Sequence, residues 1–346
     1  MTLKDSLLWP LTVPYAAVSH LRARAYRTGI LKQQHLCGNV ISVGNLTTGG
    51  TGKTPMVIWI AERLAAEGKR VGILTRGYRG ETASKSASSN RAAAIDTPGS
   101  ASDEVQLMKA RLGERVALGV GTDRFARGQE LASRGVDWFV LDDAFQHLQL
   151  ARDVDIVMID ATNPFGRGHL LPAGRLREPK TALARSNLIV ITRSSHSPAI
   201  EAAVHRETNA PIFYAQAELD SVYSPNHPHL TNQDAREQKL FAFCGIGNPA
   251  AFIADLRDWG FQIVGHKFFR DHHRYKPEDI REIEAEARAS GAHGLICTEK
   301  DKFNCPCNSL EIDLWICAIS LRVEREQDFW RTMMATIASR KAEAKR

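Results

Sequence analysis

The sequence lacks the features of several protein classes. A helix needs about 20 apolar residues to span a bilayer. The N-terminal apolar run is far shorter, since it comprises only LLWPLTVPYAAV at residues 7–18. The sequence has six cysteines in 346 residues, most of them inside apolar runs, which indicates reduced core residues of a cytosolic protein. It has no internal repeat and no long low-complexity tract. A polytopic membrane protein, a collagen and a disulfide framework are excluded.

The composition is that of a soluble globular protein. Hydrophobic residues make up 43% and charged residues 24%, which excludes a disordered chain. At roughly 100–200 residues per domain, this length predicts two domains, each large enough to bury a core. The net charge of +6 suits nucleic acid, anionic lipid or a phosphorylated substrate, without choosing among them.

The N-terminal segment allows two interpretations. Pro10 and Pro14 interrupt the apolar run, and a basic cluster follows it. This order disfavours a signal peptide, in which the charges come first. The segment is either a helix packed on its own domain or a surface that docks on an anionic membrane.

Strands and helices alternate along the chain. The expected strands of a first series are 39–43, 70–74, 138–141, 155–159 and 187–192, with a helix over 54–66. A second series has expected strands at 240–244, 261–265, 294–298 and 314–320, with a helix over 249–258. The polar stretch 220–236 is interpreted as the connection, and 81–102 as a mobile loop. The alternation predicts a parallel sheet with helices on both faces.

A phosphate loop is the strongest chemical signal. Residues 47–54 read TTGGTGKT, with Thr47 in place of the first glycine of G-x-x-x-x-G-K-[ST]. A strand precedes the loop and a helix follows it, as nucleotide binding requires. Backbone amides would approach phosphate oxygens, Lys53 would reach the β and γ phosphates, and Thr54 would bind magnesium. The predicted nucleotide-binding residues are Thr47, Thr48, Gly49, Gly50, Thr51, Gly52, Lys53 and Thr54.

Carboxylates lie next to apolar segments at two places. Asp142 and Asp143 end the strand WFVL, where a phosphate-loop protein needs a second magnesium group, although either Asp is also suited to a turn. Asp103 and Glu104 open an apolar helix, either as a base or metal ligand or as an acidic first turn.

Two histidine or cysteine runs complete the set of candidate sites. Asp271-His272-His273 follows a strand, and such a run either moves protons, binds metal or lies on the surface. Cys305-Pro306-Cys307 is a weak metal signal, because no second pair accompanies it.

The order of the motifs resembles the tetraacyldisaccharide 4'-kinases of lipid A biosynthesis in Gram-negative bacteria. The resemblance covers residues from about 5 to 330 and rests on eight segments. These segments are SVGNLTTGGTGKTP (42–55), LTRGYRG (74–80), SDE (102–104), LDDAFQH (141–147), LLPAGRLREP (170–179), FCGIGNP (243–249), FFRDHHRY (268–275) and TEKD (298–301). Ala144 stands where the family commonly has glycine, and Leu148 where it commonly has a basic residue.

The resemblance implies a reaction and an architecture. The γ-phosphate of ATP would pass, with magnesium, to the 4'-hydroxyl of tetraacyldisaccharide 1-phosphate, giving lipid IVA. It implies an α/β fold, a P-loop NTPase-like α/β/α sandwich with a second, smaller α/β/α domain joined by a two-stranded linker. The active site would lie in the cleft between a kinase domain at 1–215 and a second domain at 216–346, whose last helix is free to pack back on the first.

The resemblance also implies roles for the candidate residues. The base would be Asp103 paired with His272, with His273 as the second choice, and Lys53 would act on the phosphates. Thr54 and Asp143 would hold magnesium, with Glu104 and Asp142 as further ligands. The sugar-phosphate head group would be held by Arg76, Tyr78, Arg124, Gln146, His147 and Arg175.

The same resemblance favours the membrane interpretation of the N-terminal segment. The protein would be a peripheral monomer on the cytoplasmic face of the bacterial inner membrane, with no nucleic acid partner. Two other classes compete. A regulatory ATPase or GTPase shares the phosphate loop, but residues 298–301 read TEKD rather than N-K-x-D. A nucleic-acid-binding protein would fit the basic charge, but no aromatic-basic platform accompanies it.

Overall fold

The structure is a computed structural model that describes residues 3–77, 102–306 and 310–344. The chain divides into two compact units. Within the described residues, unit 1 comprises 3–77, 111–216 and 321–344, and unit 2 comprises 102–110, 217–306 and 310–320. The domain limits inferred from the sequence stay a prediction.

Strands and helices are numbered in chain order. The strands are β1 Asn39–Asn45, β2 Val71–Thr75, β3 Val116–Val120, β4 Trp138–Asp142, β5 Val154–Asp160, β6 Leu188–Thr192, β7 Ile212–Tyr223, β8 Lys239–Cys244, β9 Gln262–Phe268, β10 Gly294–Thr298 and β11 Leu314–Val323. The helices are α1 Leu3–Arg27, α2 Lys53–Ala66, α3 Asp103–Leu112, α4 Arg124–Ser133, α5 Pro198–His205, α6 Asn232–Arg236, α7 Pro249–Asp258, α8 Pro277–Ala289, α9 Glu299–Asn304 and α10 Glu326–Ala344.

The sheet of unit 1 is parallel and buried. Its strand order is β3-β2-β4-β1-β5-β6-β7, and successive neighbours from β3 to β7 pair in parallel. Every residue of β2, β4, β5 and β6 is buried, which explains why these strands read as continuous apolar runs rather than as alternating ones. The carboxyl ends of β1 and β4 lie side by side in this order, so the loops that follow them meet at one edge.

The C-terminal helix α10 packs on unit 1 through aromatic rings. Phe329 meets Trp59 of α2 and Phe213 of β7 edge to face, with ring centroids 5.6 and 5.2 Å apart. Trp330 also meets Trp59 edge to face, at 5.9 Å. Such pairs add about 0.5–1.5 kcal/mol each beyond their buried area, so they hold the end of the chain on unit 1.

Unit 2 is a smaller parallel arrangement. Its strand order is β11-β10-β8-β9, and β10 pairs in parallel with both neighbours. Successive residues of β10 face opposite sides: Ile296 packs with Trp315 and α7, while Leu295 packs with α8. Helices therefore cover both faces, and the predicted mixed α/β class is confirmed. β7 and β11 each belong to both units, since the chain leaves unit 1 after Gln216 and returns at Leu321.

The strands predicted from the sequence are all observed, and the structure adds β3 and β7. The stretch 220–236, which we interpreted as the connection, contains regular structure, because β7 runs on to Tyr223 and α6 forms at Asn232–Arg236. Val222 is buried on that strand, and a Thr231 capping box starts α6, so burial and capping override the polar composition. The predicted mobile loop 81–102 lies outside the described residues except for Ser102.

Candidate active site

The phosphate loop of unit 1 connects the end of β1 to the start of α2. The side-chain amide of Asn45, the last residue of β1, donates to Thr51 Oγ1 at 3.0 Å and fixes the loop. Gly49 and Gly52 have φ of 128° and 84°, which favour glycine. A Cβ on Gly49 would lie 2.4 Å from Arg175 Nη2, so the guanidinium of Arg175 would have to move to admit a side chain. Gly52 caps α2 without a side-chain acceptor, which leaves that helix end suited to phosphate.

Lys53 and Asp143 face each other at this edge. Lys53 Nζ lies 3.7 Å from Asp143 Oδ1, and both carboxylate oxygens of Asp143 accept from Arg177 Nη1 at 2.8 Å. Burial alone would raise the pKa of Asp143, but Lys53 and Arg177 outweigh it and hold this pKa below its usual value. Asp143 therefore stays ionised at neutral pH, as a metal ligand must be.

Asp142 occupies a different environment from its neighbour. Its side chain is buried at the end of β4 and accepts from Thr75 Oγ1 at 3.1 Å. Arg124 Nη2 donates to the backbone carbonyl of Asp142 at 2.7 Å. Burial lowers the pKa of Arg124, while Asp142 and Asp143 oppose that effect. Arg124 thus holds the carboxyl end of β4 in place.

The donor set of unit 1 fits a nucleotide with magnesium. It combines a glycine-rich turn, a lysine, the buried hydroxyl-bearing Thr54 and the ionised Asp143, which are the groups that phosphate oxygens and a hard cation prefer. Within 3–77, 102–306 and 310–344, no group of three or more His, Cys, Asp and Glu side chains is arranged to hold a metal. Cys307 of the weak cysteine signal lies outside these residues.

The residues predicted to hold the head group fall into two sets. Arg76 and Arg175 are exposed, and Arg175 Nε donates to Thr48 O at 3.0 Å. Gln146 donates to Asn45 O at 3.0 Å, so it supports the backbone of the site, as Arg124 does. Tyr78 lies outside the described residues.

His147 is a neutral member of this group. Its pKa is lowered to about 4, first by burial and then by the neighbouring Arg124, Arg152 and Arg22. His147 is therefore uncharged at pH 7 and serves as a hydrogen-bonding group rather than a cation.

The two departures from the family pattern lie beside these residues in the sequence. Ala144 and Leu148 flank the segment that contains Gln146 and His147, and both are buried. A buried residue packs against its own protein, so neither departure removes a group that faces solvent in this structure.

Unit 2 brings Asp103 and His272 together. Asp103 is the first residue of α3 and is 5% exposed. His272 Nδ1 lies 2.8 Å from both Asp103 Oδ1 and Oδ2, across 169 residues of chain. The hydrogen bond to Asp103 is the main cause that raises the pKa of His272, against the opposing effect of burial. The pair forms a carboxylate-imidazole dyad of the kind that moves protons.

The second histidine of the run turns elsewhere. His273 Nε2 lies 2.8 Å from Asp279 Oδ2, and its ring stacks on Phe269 with centroids 4.6 Å apart. Since His273 has its own carboxylate, His272 rather than His273 is the histidine beside Asp103.

Glu104 is paired with a residue that received no role from the sequence. Lys300 Nζ lies 2.9 Å from Glu104 Oε1. Burial alone would lower the pKa of Lys300, but Glu104 and Asp103 outweigh it and raise this pKa. Lys300 belongs to the TEKD segment and Arg177 to LLPAGRLREP. Both Lys300 and Arg177 therefore lie in segments that the sequence analysis had singled out. Their partners, Glu104 and Asp143, become evident only in the folded structure.

The helix α1 contacts the rest of unit 1 through polar groups and exposes apolar side chains. Tyr15 donates to Arg177 O at 2.9 Å, and Arg22 donates to Gln146 O at 3.2 Å. The exposed large hydrophobic residues of this region are Leu11, Val13, Tyr15, Val18, Leu21, Ile30 and Leu31. Among the described helices, none combines the length and the apolarity that a membrane crossing requires.

Comparison with known proteins decides the family. The family model described as tetraacyldisaccharide-1-P 4'-kinase matches residues 4–338. The chain belongs to this family. The tetraacyldisaccharide 4'-kinase of Geobacter metallireducens is 40% identical over 301 residues, covering 86% of this chain and 87% of the relative. The protein of the same name from Desulfotalea psychrophila is 34% identical over 342 residues, covering 96% and 97%.

A solved member of the family shares the fold over its whole length. The LpxK protein of Aquifex aeolicus, crystallised in complex with ATP, is 27% identical to this chain. The two structures superpose with a TM-score of 0.72, and the superposition covers 97% of this chain and 100% of the other. The family recognised from the sequence and the kinase class are thereby confirmed, and the ATP bound by the crystallised relative agrees with the nucleotide predicted for this chain.

Proposed function

We propose that this protein transfers the γ-phosphate of ATP to the 4'-hydroxyl of tetraacyldisaccharide 1-phosphate, forming lipid IVA. The observation that carries the proposal is the dyad, with His272 Nδ1 2.8 Å from both carboxylate oxygens of Asp103. A regulatory ATPase needs no group that takes a proton from a sugar hydroxyl, whereas a sugar kinase does.

Asp103 acts as the base in this proposal. The acceptor oxygen forms a bond to the γ-phosphorus, its proton passes to the Asp103 carboxylate, and the bond from phosphorus to the bridging oxygen breaks to release ADP. His272 orients the carboxylate and stabilises the charge that changes there. Such a base contributes typically about 10²–10⁴-fold.

The groups of unit 1 hold the donor. Amides of residues 47–52 and the Lys53 ammonium bind the triphosphate oxygens, and Thr54 with Asp143 would hold magnesium. When bound, magnesium neutralises charge on the phosphates. Arg177 and Lys53 keep Asp143 ionised and in place. Glu104 serves as a metal ligand only in competition with Lys300, which already contacts one of its oxygens.

The head group of the acceptor is held by side chains of unit 1 that reach solvent. Arg76 and Arg175 are exposed guanidinium groups suited to phosphate, and the neutral His147 suits a hydroxyl. Arg124 and Gln146 act through the backbone that they support. The role of Tyr78 stays a prediction.

The helix α1 docks the protein on the membrane that holds its substrate. Its contacts to the carbonyls of Arg177 and Gln146 orient the helix, and Leu11, Val18 and Leu21 are 57%, 66% and 66% exposed. A surface helix with exposed apolar residues and nearby arginines binds anionic lipid without crossing the bilayer. We infer that the protein is a peripheral monomer on the cytoplasmic face of the inner membrane.

A phosphate-transfer assay in detergent tests the reaction. It uses γ-labelled ATP, magnesium and purified tetraacyldisaccharide 1-phosphate with the wild type, Asp103→Asn and Asp279→Asn. Asp279 is a matched control, because it also contacts a histidine at 2.8 Å in unit 2. Label should move to the lipid, fall strongly in Asp103→Asn and persist in Asp279→Asn. Label released only as free phosphate would favour the regulatory ATPase instead.

Vesicle flotation tests the membrane surface. The wild type and a double variant of α1, Val18→Glu with Leu21→Glu, are mixed with vesicles containing anionic phospholipid. The double variant should float markedly less than a control that places glutamate at the exposed Val264 of unit 2. Equal flotation of all three proteins would contradict docking through α1.

A further inference from the structure

Asp301 is a buried carboxylate that the proposed reaction does not use. It is 2% exposed in α9, and its oxygens accept hydrogen bonds from three groups of unit 2. Oδ1 accepts from Gly245 N and from Tyr275 Oη, each at 2.7 Å, and Oδ2 accepts from Thr298 Oγ1 at 2.6 Å. Burying a carboxylate is costly unless hydrogen bonds compensate, so this arrangement calls for a reason.

Both donors to Asp301 Oδ1 lead to the loop that carries His272. The carbonyl of Gly245 accepts from His272 N at 2.9 Å. A Cβ on Gly245 would lie 2.9 Å from Arg270 O and 3.0 Å from His273 Cβ, so this residue packs directly against the loop. Asp301 therefore fixes Gly245, the residue whose carbonyl accepts the hydrogen bond from the His272 backbone.

Tyr275 fixes the loop from its other end. It lies three residues after His272, and its backbone amide donates to Asn304 O at 3.0 Å. Its ring meets Phe269 and His273 edge to face, with centroids 5.1 Å away in both cases. The hydrogen bond from its hydroxyl to Asp301 joins this ring cluster to the carboxylate that holds Gly245.

His272 needs such support because its backbone is strained. Its φ is 60°, in the left-handed region that residues other than glycine rarely adopt. A residue in that region keeps its conformation only where the surroundings fix it. Its imidazole must also meet Asp103 within hydrogen-bond reach, and small misplacements of reacting groups are costly in rate.

We propose that Asp301 and Tyr275 are positioning residues that hold His272 against Asp103. This inference rests on the proposed function, because the dyad is the base of that reaction. The contacts of Asp301 and Tyr275 described above reach Gly245 and the loop 269–275, so both residues act on the dyad through that loop.

A double-mutant cycle separates positioning from general structural damage. The transfer rate is measured for wild type, Asp301→Ala, His272→Ala and the double variant. Asp301→Ala should lower kcat about 30-fold with KM for ATP within about twofold, because the dyad loses its alignment while the donor site stays intact. In the His272→Ala background the same change should cost less than about threefold, because nothing is left to position. Equal losses in both backgrounds would overturn the proposal.

Conservative variants keep the test valid if Asp301→Ala does not fold. Asp301→Asn should keep at least about a third of the rate, since its amide oxygen still accepts from Gly245 and Tyr275. Tyr275→Phe removes one donor and keeps the ring, and should cost about fivefold in the wild type and nearly nothing beside His272→Ala. An Asn variant as impaired as the Ala variant would contradict positioning through hydrogen bonds.

Amide hydrogen exchange gives a readout that needs no activity. The peptide covering 269–275 should exchange faster in Asp301→Ala than in wild type or in Asp279→Ala, which removes the carboxylate partner of His273 instead. If the wild type moves no label to the lipid, the proposed function fails, and this exchange result alone decides whether Asp301 holds the loop. Unchanged exchange would overturn the positioning role.

Discussion

Asp143 of unit 1 and Asp103 of unit 2 are carboxylates in contrasting surroundings. Asp143 is 36% exposed on its side chain and lies between two fixed cations, Lys53 and Arg177. Asp103 is 4% exposed on its side chain, and its partner His272 is of the residue type that changes charge near neutral pH. The first carboxylate is kept ionised, and the second is coupled to a group that takes up and releases a proton.

The difference agrees with the two tasks that we propose for these aspartates. A metal ligand must stay ionised through the reaction, and permanent cations ensure that. A base must gain a proton and lose it again, and an imidazole partner allows this where an arginine would oppose it. The partner, more than the aspartate itself, decides the role.

The largest effect is expected at the base. Asp103→Asn should lower kcat about 10³-fold, because the amide oxygen cannot accept the acceptor's proton, while ATP binding is retained. Transfer kinetics with equilibrium ATP binding measure the two effects separately. A variant that loses ATP binding would break the comparison, because Asp103 would then belong to the donor site.

The next effect is expected at Lys53. Lys53→Met should lower kcat/KM for ATP about 10²-fold, because the phosphates lose a charge-assisted contact. Lys53→Met should also bind ATP less tightly than wild type, whereas Asp103→Asn should not, and titration with ATP measures this difference. Arg63→Met serves as a control, since Arg63 lies on the same helix and packs on Trp330 instead. Equal losses in both variants would point to damage of α2.

A smaller effect is expected at Lys300. Lys300→Met removes the ion pair between Lys300 and Glu104 beside Asp103, and we expect kcat to fall about tenfold, as is typical when a partly buried charge loses an ion-pair partner. Lys300→Arg should recover most of the rate, because it keeps the charge. If the Met and Arg variants are equally active, the pair Lys300–Glu104 has no part in holding the base.

The smallest effect is on the pH dependence of stability, where His272 and Asp143 are expected to contribute with opposite signs. His272 has a raised pKa, so its contribution is present below its unfolded value of about 6.5 and is lost as pH rises through the folded pKa. Asp143 has a lowered pKa, so its contribution is present above about pH 4 and is lost as pH falls through the folded pKa.

Urea unfolding at several pH values measures both contributions. The difference in unfolding free energy between wild type and His272→Gln should narrow as pH rises above about 6.5. The difference between wild type and Asp143→Asn should narrow as pH falls below about 4. Each difference should be about 1 kcal/mol or less, because solvent screens both groups. Differences that move in the same direction with pH would contradict the contrast between the two carboxylates.

Local signals in the sequence were sufficient for the phosphate loop. Its strand, glycines, lysine and helix are consecutive, so the pattern contains the geometry. The pairing of Asp103 with His272 came from the family resemblance, because 169 residues separate the two side chains. Two ion pairs were not predicted, Glu104 with Lys300 and Asp143 with Arg177. A charged residue in the sequence does not indicate which opposite charge it will contact. β7 was missed because alternating burial, rather than composition, makes its second half a strand.

Unit 2 is built from two separate stretches of chain, and this has a consequence for inheritance. Residues 102–110, which carry Asp103, are encoded before 111–216 of unit 1, and His272 is encoded after them. No single contiguous piece of the gene confined to unit 2 carries both members of the dyad. A recombination breakpoint anywhere between codons 111 and 216 therefore yields a chimera that has Asp103 from one parent and His272 from the other. The activity of such chimeras reports whether the dyads of two relatives are compatible.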